Sequence, residues 1–462
     1  MKRIVSTLLA GMAIGLAVTS CSGVKNCASP EISVPSEIAA GTGTDTLTIA
    51  DLDWWEVYGD SRLHDIIEAT LTHNKNLLAA AATVEELQHL YRIERAGMYP
   101  TLGINVGADH ETNDYHNENF KRDPEFDFKG VLAWEADLWG RLRWAKKKGA
   151  AQWAASVEDL RAMRMTLIAE AATAYFNLVA LDNELAIVRR TTDTRRENMA
   201  KAKLRFEGGL TSELVYRQAQ AEYASTAALI PNLEGRVKAT ENVLLLLMGR
   251  NPGTMLSRSP DSAMLLGYTN DSIPVGIPSG LLTRRPDLRA SEARLKSALA
   301  DVGVAYSDQF PRLTIGLQGG WENDDLPSLF KSPFTYVIGQ LAGPIFDFGR
   351  KRSKYKASMA AYNRARLNYE QKVLEVFKEA NDAVTAYKKA RQSAALKAES
   401  RNAALKYMEL AELQYRAGSI NYIEVLDAQR RYFSAQIDLS NAARDENLSL
   451  VRLYKVLGGG WN

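Results

Sequence analysis

Glu424 and Asp427 stand three residues apart in YRAGSINYIEVLDAQ (415–429), and on a helix that spacing puts both carboxylates on one face. On a single chain such a pair reads as a solvated helix surface. Only where several copies meet around an axis would such acids become rings of charge, which repel anions and attract cations. Little other chemistry is on offer. There is no GxxxxGK[ST], GxSxG or HExxH, and SxxK occurs at Ser328–Lys331 and Ser353–Lys356 without companion motifs. The expectation is therefore a non-enzyme. All five histidines precede residue 117, two of them beside acids in DHETNDYHNEN (109–119), which reads as a solvated loop more readily than as a metal site.

Cysteine chemistry is confined to the start of the chain. Lys2 and Arg3 form a basic n-region, IVSTLLAGMAIGLAV an apolar h-region, and VTSC places small residues ahead of Cys21. Residues 1–20 thus read as a signal peptide and Cys21 as a lipid anchor, its thiolate taking a diacylglyceryl group. Residues 21–59 follow as a tether and N-terminal segment, rich in Ser, Thr, Pro and Gly at its start. Cys27 then has no partner, so neither a disulfide framework nor a Cys/His metal set is expected. The covalent lipid is the only non-protein group implied.

Lys+Arg of 57 against Asp+Glu of 55 leaves no electrostatic footprint for nucleic acid. After the signal no run of about 18 apolar residues occurs, so no transmembrane helix is expected. An exported chain without one stays in the periplasm, leaves the cell, or enters an outer membrane as a β-barrel.

The elements that must carry the acidic pair appear twice. FEGGLTSELVYRQAQ (206–220) is a worn copy of 415–429, aligning Gly209 with Gly418, Ser212 with Asn421 and Gln220 with Gln429. DLWGR (137–141) pairs with DFGR (347–350), and YPTLGINVG (99–107) with FPRLTIGLQ (310–318). The chain therefore reads as a duplicated helix-strand-strand-helix-helix unit, mixed α+β and mostly α. The first repeat is 60–286, with helix 60–98, strands 101–111 and 126–138, long helix 140–207, tip 208–211, helix 212–249 and linker 250–286. The second is 287–462, with helix 287–309, strands 312–322 and 334–347, long helix 350–417, tip 418–421 and helix 422–457.

Leu102, Ile104, Val106 and Ala108 alternate with polar or small residues, as do Leu313, Ile315 and Leu317; period two over about ten residues suits membrane strands. The alternation in 334–347 is poor. Four strands cannot close a barrel, and lipid tolerates no open edge, so several copies must contribute strands. In the helices, Leu160, Met163, Leu167, Ala171, Ala174, Leu178, Leu181, Leu185 and Val188, and likewise Val373, Val376, Ala380, Ala383, Tyr387, Ala390 and Ala394, recur in steps of three and four. These are coiled-coil seams. Each long helix would span about 100 Å.

IPSGLLTRRPDLRASEARLKSA (277–298), LAGPIFDFGRKR (341–352) and YRAGSINYIEVLDAQRRYFSAQ (415–436), with DWWEVYGDSRLHDIIEATLTHNKNL near the start, resemble the TolC-like outer-membrane factors of tripartite efflux systems. The resemblance implies a homotrimer with a 12-stranded outer-membrane barrel continued by a long α-helical barrel. It also implies a periplasmic adaptor reading the tips at Gly209, Ser212, Gly418 and Asn421, and an inner-membrane pump, usually of the resistance-nodulation-division type. Glu424 and Asp427 would be gate acids, with Arg217 as a latch partner, because Val215 stands where some members carry an acid. Ser212 and Asn421 would also serve as N-caps.

Two basic clusters, Arg141, Arg143 and Lys146 in GRLRWAKKK and Arg350, Lys351 and Arg352 in GRKRSKYK, oppose the dipoles of the helices they begin. They are expected to meet outer-membrane headgroups. An exit duct for type I secretion or metal-ion efflux is an alternative within transport, and a periplasmic coiled-coil structural lipoprotein is one from another class.

Overall fold

The computed structural model describes residues 24, 27–35, 48–113, 121–253 and 278–461. Cys21, the signal segment, the tip of the first strand hairpin (114–120) and most of the linker (254–277) lie outside the described residues. In order, the elements are α1 (Trp54–Val57), α2 (Ser61–His73), α3 (Lys75–Ala96), β1 (Thr101–Asn113) and β2 (Lys121–Ala136). There follow α4 (Arg141–Glu207), α5 (Glu213–Ala227), α6 (Leu229–Leu247), α7 (Pro278–Arg284) and α8 (Pro286–Ser307). The chain ends with β3 (Arg312–Asn323), β4 (Pro333–Ala342), α9 (Arg350–Arg416) and α10 (Tyr422–Val456). Two compact units result: Met1–Ile32, Ala82–Glu158 and Arg289–Lys372 form one, and Ser33–Ala81, Asp159–Leu288 and Val373–Asn462 the other.

The first unit holds one antiparallel sheet in the order β1-β2-β3-β4. Its two sequence hairpins join through β2 and β3, with Leu132 opposite Leu317 and Trp134 opposite Ile315. Opposed residues share a face, so the registers sort the sheet. Leu102, Ile104, Val106, Phe128, Leu132, Trp134, Leu313, Ile315, Leu317, Val337 and Leu341 lie on one side. Asn105, Asp109, Glu125, Asp127, Lys129, Gln318, Gln340 and Glu322 lie on the other, which is polar over β1 to β3 but also carries Val131 and, on β4, Phe334, Tyr336 and Ile338. The apolar side is open: Leu102, Ile104, Val106 and Val337 are all exposed. At the helical end, small residues let elements close in. A Cβ on Gly303 would fall 2.3 Å from the Trp144 ring and one on Gly149 3.4 Å from Tyr91 Cα, while Tyr91 stacks on Trp153 at 5.7 Å.

The second unit is helical. Both predicted seams are buried along most of their length, from Leu167 to Val188 in α4 and from Val373 to Tyr387 and again at Ala394 in α9, while Leu160, Met163 and Ala390 are only half-buried. Among its most deeply buried side chains are Ile49, Val57, Leu63, Ile67, Leu244, Leu450, Leu453 and Tyr454, with Tyr454 Oη donating to the Leu52 carbonyl at 2.8 Å.

Several expected boundaries are corrected. The helix expected over 60–98 breaks at Asn74, whose side-chain oxygen caps Asn76 and Leu77 (3.0 and 3.1 Å) and whose amide donates to the Leu247 carbonyl at 2.9 Å. The helix expected over 212–249 breaks at Ala228; Pro231 lacks the N–H that a continuous helix would direct to the Ala227 carbonyl. β2 begins at Lys121 rather than 126 and ends at Ala136 rather than 138. β4 stops at Ala342 rather than 347, because Pro344 cannot donate to a ladder and a Cβ on Gly343 would sit 2.9 Å from Pro311 Cα. A short 3-10 turn, Leu326–Lys331, joins β3 to β4, and its Phe330 packs on Phe128 and Trp321.

Candidate functional site

The two tips share one backbone device. Gly209 and Gly418 have φ of 72° and 77°, the left-handed conformation that ends a helix at glycine. Leu210 N–H returns to the Arg205 carbonyl (2.8 Å) and Gly209 N–H to Phe206 (3.0 Å). Ser419 to Gln414 (2.9 Å) and Gly418 to Tyr415 (3.0 Å) repeat the pattern. Ser212 and Asn421 take the extended backbone of N-caps, but neither side chain makes a capping hydrogen bond. Their polar groups stay at the surface of the turn.

The side chains around that device differ. Glu424 is exposed and, among the described residues, makes no side-chain hydrogen bond or ion pair. Asp427 is half-buried and accepts from Arg431 Nε at 2.8 Å. Arg217 bonds within its own helix, to Glu213 (3.1 Å) and Gln220 (3.0 Å), and lies over the Tyr216 ring. Within one chain it bonds to neither acid. The structure thus brings Glu424 and Asp427 onto one helix end and leaves Arg217 on the other hairpin.

A cluster the sequence did not reveal ties these hairpins together. Glu222 of α5 binds Arg195 of α4 at 2.9 Å and also binds Arg430 of α10. The Arg195 and Glu222 side chains are only 11% and 13% exposed. Arg195 also donates to Thr226 Oγ1 and to the Glu222 carbonyl, and lies over Phe433. Burial pushes its guanidinium below the ordinary arginine range; Glu222 opposes the shift and Arg430 adds to it. The three charges come from three helices, so no local spacing announces them.

The basic clusters also divide. Arg141 is bidentate on Glu135 (3.0 and 2.8 Å) and Arg143 bonds Asp137 at 3.1 Å. Lys146 and the second cluster (Arg350, Lys351 and Arg352) make no side-chain hydrogen bond or ion pair among the described residues. An aspartate caps each helix start. Asp137 accepts from the Leu142 and Arg143 N–H groups, and Asp347 from Gly349 and Lys351. The sheet's polar side was likewise not anticipated as a charged surface, and in it the buried Asp127 pairs with Lys129 at 3.2 Å. Near the start of the chain, the Ala28 carbonyl accepts from Tyr362 Oη (2.7 Å) and Glu31 N–H donates to Glu370 (2.9 Å). The N-terminal segment is thereby laid along α9. Among the described residues no group of acids, His and Cys could hold a metal ion, and no helix is long and apolar enough to cross a membrane.

A sheet with one apolar and one polar side, joined to paired helical hairpins, defines the architecture of an outer-membrane channel protein. The chain belongs to the outer membrane efflux protein family, whose profile it matches over residues 66–250 and 277–459. It is 31% identical over 413 residues to the solvent efflux pump outer membrane protein SrpC of Pseudomonas putida, covering 88% of this chain and 87% of that one. It is 27% identical to the probable outer membrane lipoprotein SilC of Salmonella typhimurium, covering 94% of each. Among solved structures, the outer-membrane channel OprN superposes with a TM-score of 0.85 at 27% identity, covering 94% of this chain and 99% of that one. The protein is an outer-membrane efflux channel.

Proposed function

We propose that this chain is the exit duct of a tripartite efflux system, working as a homotrimer. Three copies each give four strands to a 12-stranded barrel, and their helical hairpins form a periplasmic tube. An adaptor engages the tips at Gly209, Ser212, Gly418 and Asn421, and an inner-membrane pump supplies the cargo and the driving energy. Cys21 carries the lipid anchor. The basic clusters, led by the unpaired Arg350, Lys351 and Arg352, meet lipid headgroups. The observation that carries the reading is the sheet, which is apolar on one open face, polar on the other, and has two unpaired edges. Water covers neither its exposed Leu, Ile and Val face nor its edges favourably, whereas lipid and further copies cover both.

In this duct Glu424 and Asp427 form two rings of carboxylate at the narrowing, and Arg217 of a neighbouring copy latches one of them. A passive passage needs no catalytic group. Its cargo is whatever the pump delivers.

Single-channel conductance of the purified protein in planar bilayers tests this, for the natural chain and for Glu424→Gln/Asp427→Asn. The expected result is a small cation-selective conductance whose selectivity collapses in the double variant. Inserted protein that conducts nothing, with or without the substitutions, would overturn the duct. An Arg217→Ala channel with unchanged conductance would remove the latch.

A further inference from the structure

The helical unit carries an open trough between three of its helices. It is bordered by α4 from Ala169 to Leu181, by α6 from Arg236 to Leu247 and by α10 from Arg444 to Lys455. At helical rise these stretches are about 17 Å long, and the space between them is about 760 Å3. Most of the lining is apolar. Ala174, Leu181, Val243, Leu448 and Val451 contribute to it, and Val243 is left 50% exposed.

The charge around this strip is one-sided. Four cations border it, Arg236, Arg444, Arg452 and Lys455, against one acid, Glu170. Arg444 is compensated, since it donates to Asp445 at 3.0 and 2.8 Å and to Asn441 at 3.0 Å. Arg236, Arg452 and Lys455 make no side-chain hydrogen bond or ion pair among the described residues. Asp382, whose carboxyl feels Arg452, is already held by Lys378 at 2.6 Å. The repeat-mate of α4 lacks the combination. A shift of 209 residues takes α4 onto α9, where Thr173 becomes Asp382 and Leu181 becomes Ala390. The copy thus has an extra acid and a smaller apolar residue.

The chain's own ends cover the other side of these helices. On α4, Ile168 meets the C-terminal segment, where a Cβ on Gly460 would lie 3.4 Å from Ile168 Cδ1. On α10, Tyr454 bonds the Leu52 carbonyl of the N-terminal segment. At 3.6 residues per turn, Glu170, Thr173 and Asn177 lie on the opposite side of α4 from Ile168. In a tube built from these helices the side that carries extra chain is the outside, so the trough faces the bore.

We infer that this trough binds an amphipathic anion, an acidic head on an apolar body, as cargo on its way through the duct. The apolar strip takes the body, and Arg236, Arg452 and Lys455 take the head by charge-assisted hydrogen bonds. An apolar body gains by leaving water for Ala, Leu and Val side chains. A neutral amphiphile would leave the three cations unpaired, and a cationic one would be repelled. The trough begins about 40 Å from the Gly209 tip along α4, so an anion that has passed the acidic rings finds a foothold beyond them. The inference rests on the duct proposed above and adds a class of cargo that the wall itself recognises.

The test is equilibrium dialysis of radiolabelled decanoate, below its micellar concentration, against the full chain in nanodiscs of zwitterionic lipid. Saturable binding is expected, with empty nanodiscs giving only the linear uptake of the bilayer. Arg236→Gln/Arg452→Gln should weaken it at least about tenfold, since two hydrogen bonds to a charged group are lost, and added salt should weaken it too. Thr240→Trp, which fills the trough and keeps its cations, should abolish it. Both variants should keep the thermal midpoint of the natural chain by circular dichroism. Undiminished binding in the double variant, or equal saturable binding of decyltrimethylammonium, would overturn the site. Single-channel recordings of the same preparations separate the site from the duct. Protein that conducts but binds no decanoate removes the trough and leaves the duct standing, and protein that neither conducts nor binds sinks both.

Discussion

Glu222 and Arg431 occupy equivalent positions beyond the two tips, and the molecule uses them in opposite ways. Glu222 is enclosed by Arg195 and Arg430 and joins three helices. Arg431 is exposed and pairs with Asp427 one turn back on its own helix. The turns before them are near copies, down to the left-handed glycines and the returning N–H bonds. Duplication has thus kept the backbone and redistributed the charge. At the first tip charge holds helices together, and at the second it is left facing outward, where Glu424 and Asp427 stand.

Breaking the buried member of this comparison should cost most. Glu222→Gln leaves Arg195 enclosed without its carboxylate, and about 3 kcal/mol of stability should be lost. Thermal unfolding followed by the helical circular dichroism signal would read it, and a loss below about 1 kcal/mol would mean that water reaches the cluster. Next come the turns. Gly209→Ala and Gly418→Ala should each cost about 1 kcal/mol, because a Cβ has open space at both sites and only the left-handed φ is penalised. Clearly unequal costs would show that the two frames are not equivalent in energy. The smallest effect is expected of Arg431→Gln, about 0.3 kcal/mol, since an exposed pair one turn apart is worth little. A larger loss would mean that the second tip also uses charge to hold helices together.

The parts of this structure that could be read from the chain are those written in local periods. Alternation over Leu102–Ala108 named a strand, and the steps from Leu167 to Val188 named a buried seam, because each residue's neighbours are fixed by the element's own geometry. The breaks at Ala228 and Asn74 were missed by that periodicity, which runs on across Pro231 and across a residue whose side chain caps the next helix. The Arg195–Glu222–Arg430 cluster had no local mark. Its members meet only once a hairpin has folded and a second has packed beside it, and basic and acidic residues are scattered throughout both. The tips were legible as glycine turns. That Ser212 and Asn421 would adopt cap backbones without using their side chains was not, because a type of residue does not state which way its side chain turns. The joining of β2 to β3 was equally silent, for pairing partners far apart in sequence leave no period to read.

That joining has a consequence for the order of events when the chain is made. β1 and β2 precede β3 in the chain by the whole first helical hairpin, which must follow them across the membrane before their sheet can grow. Closing so long a loop adds little equilibrium cost, since the penalty rises only with the logarithm of length. It does make the step slow, with an apolar hairpin left waiting in water. Helices that zip along their own seam would shorten that wait by drawing Ala136 and Leu313 towards each other. The coiled coil is then a scaffold for assembling the sheet, and its seam residues bear on the speed of folding as well as on strength.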